Sequence, residues 1–490
     1  MPMRALRAVA SAVVCVTFLA GCGTRVSHSD VVASASTDVV SLTPETIKQL
    51  TQARAAAPAV EAGTAAAPVG VAAAASVPAA APVAAVRSAG GAKSAAAAAA
   101  AAAASAPTAG VPAKAGAACV ASGAPVPIGQ VGTFGGVAGP LTGVARTMLA
   151  AWAQDVNSRG GLACHPVQVY SADDGGDPSR AAALANQMVA EHHVAAFVGV
   201  VTLGMSGFKP AVEALKVPAL GGGGSEEEYS SPWFFPDGSS IDDQGLGLIR
   251  EGSDFGHHRI GYLYCVEISA CGDFDKRLHG GLAAQGGGQV VYDSPISITQ
   301  PDYTAQCLNA RDAKVDFLLL GMDGASIARV GRSCAAIGYK PLLGTQGALL
   351  GPAQAADTLL RSFGIATVTA EAPWFLDDTP GLTAFHRAFS AYAPNAALLG
   401  AATMAWTSAK MLESVIDHVA GQARSGPITP QLILEGLGAV HDESLGGLTA
   451  KLTFHAGEKS GTSSGCIFYE LLGTSGWTAP NGSRPVCVRK

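Results

Sequence analysis

From about residue 119 onward, apolar and polar positions alternate between short continuous apolar runs and longer stretches with helical spacing. Ile128–Phe134 is a β-rich run. Leu141–Ser158 follows, with Val144, Met148, Trp152 and Val156 recurring at the four-residue step that aligns them on one helix face. Val167–Tyr170 predicts a strand, Asp177-Pro178 opens a helix that runs through Met188, and Val194–Val201 predicts a strand buried on both faces. The rhythm returns with strand Arg259–Cys265, helix Asp273–Ala284, strand Val290–Ser294 and helix Tyr303–Ala310, and continues through Val315–Leu320, Ala325–Ile337 and Pro341–Leu343. Repeated βα units predict an α/β protein whose parallel sheets carry helices on both faces. A break near Pro232–Gly245 separates two such series and so predicts two lobes. Trp374–Gly381 reads as another crossing before a long helix Ala396–Val419, and Leu445–Val488 reads as short strands and turns.

The N-terminal part of the chain breaks this pattern. Arg4 and Arg7 precede the apolar stretch Ala8–Ala20, the charge-then-apolar order of an export signal, too short for a stable spanning helix. It ends Leu19-Ala20-Gly21-Cys22, which resembles the lipobox of bacterial lipoproteins. That resemblance implies cleavage before Cys22 and acylation of its thiol, against the alternative of an ordinary signal with an incidental cysteine; acyl chains would anchor the protein without a spanning helix. From about Ser27 to Ala118 alanine dominates, with ten in succession at Ala95–Ala104 and prolines throughout; only Pro44–Ala57 reads as a helix. Such a segment cannot dock an apolar stripe and predicts a disordered tether or tolerated low complexity. The expected division is a lipoprotein signal at 1–21, a lipidated Ala/Pro-rich tether at 22–118, and a bilobed domain at 119–490. Lobe 1 would span about 119–240 and part of 370–490, and lobe 2 about 241–370 and the remainder.

Composition narrows the classes. The hydrophobic share of 49% is largely alanine, and charged residues are only 14%. The mean hydropathy of +0.29 invites a membrane reading, but beyond the N-terminus no run of 18 strongly apolar residues exists, which argues against a protein with several membrane-spanning helices. A net charge of -6 gives no electrostatic footprint for nucleic acid. Ten cysteines become eight without Cys15 and Cys22. An even number in an exported chain predicts disulfides, with nearest-neighbour pairing expected: Cys119–Cys164, Cys265–Cys271, Cys307–Cys334 and Cys466–Cys487. No CxxC or HxxxH spacing predicts zinc, and no metal or cofactor is expected.

Candidate chemistry sits at the predicted carboxyl ends of strands, where open α/β sheets hold ligands. The loops there are Gly132-Thr133-Phe134-Gly135-Gly136, Thr202-Leu203-Gly204-Met205-Ser206-Gly207 and Gly221-Gly222-Gly223-Gly224-Ser225 in the first series. Cys271-Gly272-Asp273, Gly321-Met322-Asp323-Gly324 and Gly344-Thr345-Gln346-Gly347 take equivalent places in the second. Glycines let backbone N–H groups approach a ligand, and the hydroxyls add donors, so together they suggest a nest for an anionic group such as a carboxylate.

The order of elements from about Val126 to the C-terminus resembles the type I periplasmic binding proteins, nearest to their branched-chain amino-acid (Leu/Ile/Val) branch. The carrying motifs are Ile128-Gly129 through Gly136, Asn157-Ser158-Arg159-Gly160-Gly161, Asp173-Asp174 with Asp177-Pro178, and Asp242-Asp243-Gln244-Gly245. The resemblance implies two Rossmann-like lobes joined by a hinge, closing on a small polar solute that an ABC permease then receives. It implies a ligand carboxylate met by Thr202, Met205 or Ser206 and by Gly222, Gly224 and Ser225, with Phe134 contributing from the first loop. In the second lobe the family's tyrosine, second aromatic and glutamate fall at Cys271, Asp323 and Gln346, so the ammonium-binding set departs from the pattern. Asp323 can serve the ligand or cap the helix at Ala325, and Ser225 can serve the ligand or cap a turn ahead of Glu226-Glu227-Glu228, itself read as a charged first helical turn. An amino acid, an amide or another small polar solute fits. A sensory or scaffold lipoprotein with a degenerate cleft is the alternative. The expected protein is monomeric and extracytoplasmic.

Enzyme readings find little support. Gly461-Thr462-Ser463-Ser464-Gly465 fits G-x-S-x-G, but no histidine follows it, as an α/β-hydrolase would require. No phosphate-binding loop is present, so the chain is not the transporter's ATPase. The adjacent pairs His192-His193 and His257-His258 read as solvated.

Overall fold

The apolar runs become the strands of two sheets in the computed structural model, which describes residues 121–136, 139–458 and 463–489. The expected signal, Cys22, tether and Cys119 lie outside the described residues. In the first sheet, β1 (Val126–Gly132), β2 (Val167–Asp173), β3 (Ala196–Val198), β4 (Ala219–Leu220) and β5 (Phe234–Phe235) lie in the order β2-β1-β3-β4-β5. All of their pairings are parallel, with Ile128 opposite Val169 and Ala196. In the second, β7 (Gln289–Ile296), β6 (Arg259–Cys265), β8 (Phe317–Gly321), β9 (Leu342–Gln346) and β10 (Ile365–Thr369) repeat that order, also in parallel. β11 (Cys466–Gly473) then adds antiparallel to β10, and β12 (Gly476–Thr478) and β13 (Val486–Cys487) add antiparallel to β11. The fold is α/β in two lobes, with parallel-dominated sheets.

Local sequence explains where helices begin. Asp177 accepts from the Arg180 N–H ahead of Pro178, Thr379 accepts from Leu382 ahead of Pro380, and Thr429 accepts from Leu432 ahead of Pro430. A capping oxygen followed by proline satisfies orphan donors and presets the first helical φ. The Gly139–Ser158 and Gly400–His418 helices pack together in the largest core, with Trp152 and Trp406 fully buried. Glu413 between them receives Trp152 Nε1 at 2.7 Å and pairs with Arg159 and Lys410.

Three parts of the chain differ from the sequence reading. β10 forms from Ile365–Thr369, all of it buried, in a stretch with no predicted strand. The expected crossing at Trp374–Gly381 runs into a helix, Pro380–Tyr392, before the long one starts at Gly400. The tail holds an eight-residue strand, β11, whose Ile467 and Phe468 are fully buried. The expected disulfides Cys265–Cys271, Cys307–Cys334 and Cys466–Cys487 are formed. Cys164 is disulfide-bonded as well, but its expected partner Cys119 falls outside the described residues.

The chain passes between lobes after β5, after β10 and before β11. The segment after β10 leads to helices that pack on the first lobe's core, where Leu382, Phe385 and Trp406 join Val126 and Ile128. No helix among the described residues is long and apolar enough to cross a membrane.

Candidate functional site

The loops at the carboxyl ends of the first sheet are tied by the paired acids after β2. Asp174, fully buried, accepts from Thr133 Oγ1 at 2.7 Å, from the Gly176 N–H at 2.8 Å and from Thr202 Oγ1. Asp173 accepts from the backbone N–H groups of Gly175 and Phe134, both at 2.9 Å. These bonds to the ionised form, that from Gly175 foremost, hold its carboxyl below the usual range. The motif Asp173-Asp174 with Asp177-Pro178 thus braces the loops after β1 and β3 and starts a helix.

The glycine loop after β4 wraps one of the chain's own carboxyls. Glu228 is fully buried, and the Ser225 N–H donates to its Oε2 at 2.6 Å. Gly222, at φ 142°, passes so close that a Cβ would strike Glu228 Oε1. Burial pushes the Glu228 carboxyl up to about 8, against the opposing pull of the Ser225 N–H. The expected charged first helical turn at Glu226–Glu228 is therefore corrected: Glu228 turns inward at the start of a single 3-10 turn, Glu228–Ser230, and Glu226 and Glu227 stay exposed. A side chain three residues beyond a glycine-rich loop can reach back into its N–H groups, and this one does.

Between the sheets lies a cavity of about 50 Å³ at the carboxyl ends of β4, β5, β9 and β10. Gly222–Gly224 and the segment Pro236–Ser239 line it from the first lobe, Gln346 and Val368–Glu371 from the second, and Gly400 and Met404 close it. Its charged residues are Asp237 and Glu371, only 2% and 6% exposed. Asp237 accepts from Ser408 Oγ at 2.8 Å. Burial raises both carboxyls well above the usual range, and Glu371 is raised further by Asp237 and then by Glu470. Glu470, fully buried on β11, is pushed up to about 7 by burial, although Thr367 Oγ1 donates to it at 3.0 Å. Ser239 Oγ is buried in the wall with no hydrogen-bond partner among the described residues. Gln244 Nε2 donates to the Ser239 carbonyl at 3.1 Å, which brings the motif Asp242–Gly245 to the same place.

Of the candidate ligand residues, Gly222, Gly224 and Gln346 come together in this cavity. Phe134, Thr202, Met205, Ser206, Ser225, Cys271 and Asp323 do not line it. Phe134 lies half-buried near the Arg146 guanidinium, and the Thr202 hydroxyl is taken up by Asp174. Met205 is buried in the core at the first turn of the Met205–Leu215 helix, where Ser206 is exposed. Cys271 is bonded to Cys265. Asp323 caps the Gly324–Ala336 helix, accepting from the Ala325 and Ser326 N–H groups at 2.9 and 3.1 Å. Ser463 of the G-x-S-x-G match accepts from the Ser240 N–H at 2.9 Å and donates to Asp243, so it fastens a crossing segment. Asp237, Ser239, Gln244 and Glu371 were not anticipated. Pro236-Asp237-Gly238 reads as a turn, but Glu371 was findable: a lone acid inside the otherwise uncharged run Ile365–Leu376 is a buried charge that needs a reason.

A family model described as periplasmic binding protein matches residues 125–469. No curated protein matches the sequence. Solved structures do. A fatty acid ABC transporter substrate-binding protein from Thermomonospora curvata is similar with a TM-score of 0.63 at 18% identity, covering 74% of this chain and 93% of that one. A possible leucine/isoleucine/valine-binding protein from Rhodopirellula baltica SH 1 gives 0.61 at 17% identity, covering 72% and 96%. An ABC transporter solute-binding protein from R. palustris, in complex with benzoate, gives 0.59 at 17% identity, covering 74% and 96%. At such identities the likeness is one of fold. The family match spans most of the chain, and the chain belongs to the type I periplasmic binding proteins, extracytoplasmic solute-binding proteins of the ABC-transporter type.

Proposed function

We propose that this protein captures a small polar solute, such as an amino acid or amide, between its two lobes and delivers it to an ABC permease. In this reading it works as a monomer without catalysis, held at the outer face of the cell membrane by lipid on Cys22 and by the Ala/Pro-rich tether. The observation that carries the reading is the cavity where the carboxyl ends of two like-ordered parallel sheets meet, lined by polar groups from both. Ligand positions at such strand ends are general for open α/β sheets. The two lobes, about 119–240 with part of 370–490 and about 241–370 with the remainder, act as the moving bodies, and the solute's higher affinity for the closed form drives closure. Thermal-shift screening of the full chain against amino acids, amides, sugars and aromatic acids tests it. A solute at 100 times its dissociation constant adds about 2.7 kcal/mol of stability, and a broad library without a single hit counts against capture. Radiolabelled-palmitate incorporation that disappears in Cys22→Ala tests the anchor.

A second reading, a sensor or scaffold with a degenerate cleft, draws on Cys271 in its disulfide and Asp323 at its helix cap, since neither is left to bind an ammonium group. The same screen decides between them.

A further inference from the structure

The cavity between the lobes carries acid from both sides and no counter-charge. Asp237 stands on the segment leaving β5 and Glu371 on the segment leaving β10, and among the described residues no arginine, lysine or histidine lines the space between. Both side chains are more than nine-tenths buried. Buried carboxylates that lack a basic partner are costly, so such groups hold a proton until something else supplies positive charge. The wall also holds Ser239 Oγ, completely buried and without a hydrogen-bond partner among the described residues. A buried hydroxyl left open toward a cavity points to a ligand atom that completes it. The Gln346 end of β9 supplies a neutral carboxamide beside it.

The opposite specificity is closed off in the same place. The glycine loop after β4 has the form of an anion nest, but Glu228 already fills it: the Ser225 N–H is donated to Glu228 Oε2, and Gly222 lies against Oε1. A solute carboxylate brought to this loop would meet a carboxyl of the chain itself. A bare metal ion fits no better. Among the described residues, three acidic or imidazole ligand atoms approach within 4.8 Å of one another only at Asp275, His279 and Asp293, none of which lines the cavity. The cavity of about 50 Å³ has room for a few water-sized groups, hence for the head of a ligand whose body extends toward the mouth.

We infer that this cavity receives the ammonium or guanidinium head of a small organic cation lacking a carboxylate, held between Asp237 and Glu371 and completed by Ser239. The inference rests on the solute-capture reading and sets an organic amine or guanidine in place of the amino acid or amide. Glu470 on β11 presses on Glu371, and Asp237 presses in turn on Glu228 of the turn after β4. The Tyr229 hydroxyl, which donates to the Gly238 carbonyl, has Glu228, Asp237, Glu371 and Asp243, itself paired with Arg489, around it. Burial raises both carboxyls of the pair, so the empty site holds protons that an entering cation displaces. Affinity for a cation therefore climbs with pH while those protons remain to be displaced, by up to about tenfold per unit for each, and the share due to Asp237 levels off above about 7.

Titration calorimetry of the full chain with n-butylamine, butyramide and butyrate, at pH 5.5, 7.0 and 8.5, tests this beside the solute library. Butylamine is expected to bind most tightly at pH 8.5 and at least tenfold more tightly than butyramide, and butyrate is expected not to bind. Asp237→Asn and Glu371→Gln should each weaken butylamine at least tenfold and flatten its pH dependence; the wild-type ligand series stands even where a variant folds poorly. Butyrate binding more tightly than butylamine, or butylamine binding that ignores both variants, overturns the inference. A library solute that binds where butylamine does not overturns the cation assignment and leaves solute capture standing. A library with no binder, together with no binding of butylamine, counts against capture itself, and the cation assignment falls with it.

Discussion

Glu228→Gln separates a buried carboxylic acid from a buried carboxylate at the glycine loop. The folded-state carboxyl is raised from its ordinary value of 4.5 to about 8. Between those two values the folded protein keeps a proton that the unfolded chain has released. Its contribution to stability is thus fully present below pH 4.5 and is lost as the pH climbs to about 8. Each unit of that window corresponds to 1.36 kcal/mol, so the whole of it amounts to at most about 5 kcal/mol, and the two units from pH 5.5 to 7.5 to about 2.7. Glutamine has the same shape, offers an oxygen to the Ser225 N–H, and carries no titrating proton. At pH 5.5 it should cost about 1 kcal/mol, because its amide N–H groups are buried where Oε1 has no hydrogen-bond partner among the described residues.

Urea unfolding of both proteins, followed by tryptophan fluorescence at a series of pH values, reads the difference directly, provided m is unchanged. The variant should gain on the wild type by 2–3 kcal/mol, about 1.36 per unit over two units, between pH 5.5 and 7.5. Above pH 8.5 the two curves should run parallel. Curves that are parallel from pH 5 upward would show that Glu228 is ionised throughout, and the account of the loop as a cradle for a protonated carboxyl would be wrong.

Other parts of the structure give further expectations. The Cys307–Cys334 disulfide closes a loop of 27 residues between two helices; by chain entropy the Cys307→Ala/Cys334→Ala double variant should lose about 3.5 kcal/mol, read as a drop in urea midpoint. Asp174→Ala strands the Thr133 and Thr202 hydroxyls and the Gly176 N–H; it should cost about 3 kcal/mol and speed amide exchange at Gly176 and Leu203. Glu251 is 3% exposed, has no partner for either oxygen among the described residues, and is pushed by burial up to about 9. Its folded-state value is raised, so its contribution is lost as pH rises, and Glu251→Met should stabilise the protein by about 1–2 kcal/mol at pH 7 and by more at pH 9, as differential scanning calorimetry would register.

The lobes were legible because their strands carry the signal that burial on both faces leaves: uninterrupted apolar runs such as Val194–Val201 and Val315–Leu320. What resisted reading was short or mixed. β4 and β5 are two residues each, below any periodicity, and β10 carries two threonines, one of which serves Glu470 through its hydroxyl. Asp323 shows why candidate ligands are hard to choose from spacing: the residue types that bind solutes also cap helices, and Asp323 is spent on its cap. The disulfides were the reverse case, since four cysteine pairs close together in the chain need little loop closure, and three of those pairs are joined among the described residues. Glu371 shares its pattern, a single acid in an uncharged stretch, with exposed loop residues, and only its burial between the crossings sets it apart.

The placement of the acids bears on how closure would be driven. Asp237 and Glu371 sit on two of the three segments by which the chain passes between lobes, rather than on the strand-end loops farther out. Two like charges on neighbouring crossings repel through a low-dielectric wall, which favours either protonation or separation of the segments. A cation bound between them removes that repulsion only while both are close. Its affinity for the closed arrangement then exceeds its affinity for an open one, and that difference is the sole quantity by which a ligand can shift such an equilibrium. Protons do the same work less specifically, since they neutralise each carboxyl without bridging the two. In acid the empty receptor should therefore close as readily as the loaded one, and above neutral pH closure should come to depend on the solute; small-angle scattering of the full chain at pH 5.5 and 8.5, with and without n-butylamine, would follow it. A radius of gyration that responds to the amine equally at both pH values would separate the acids from the hinge and leave them as binding groups alone.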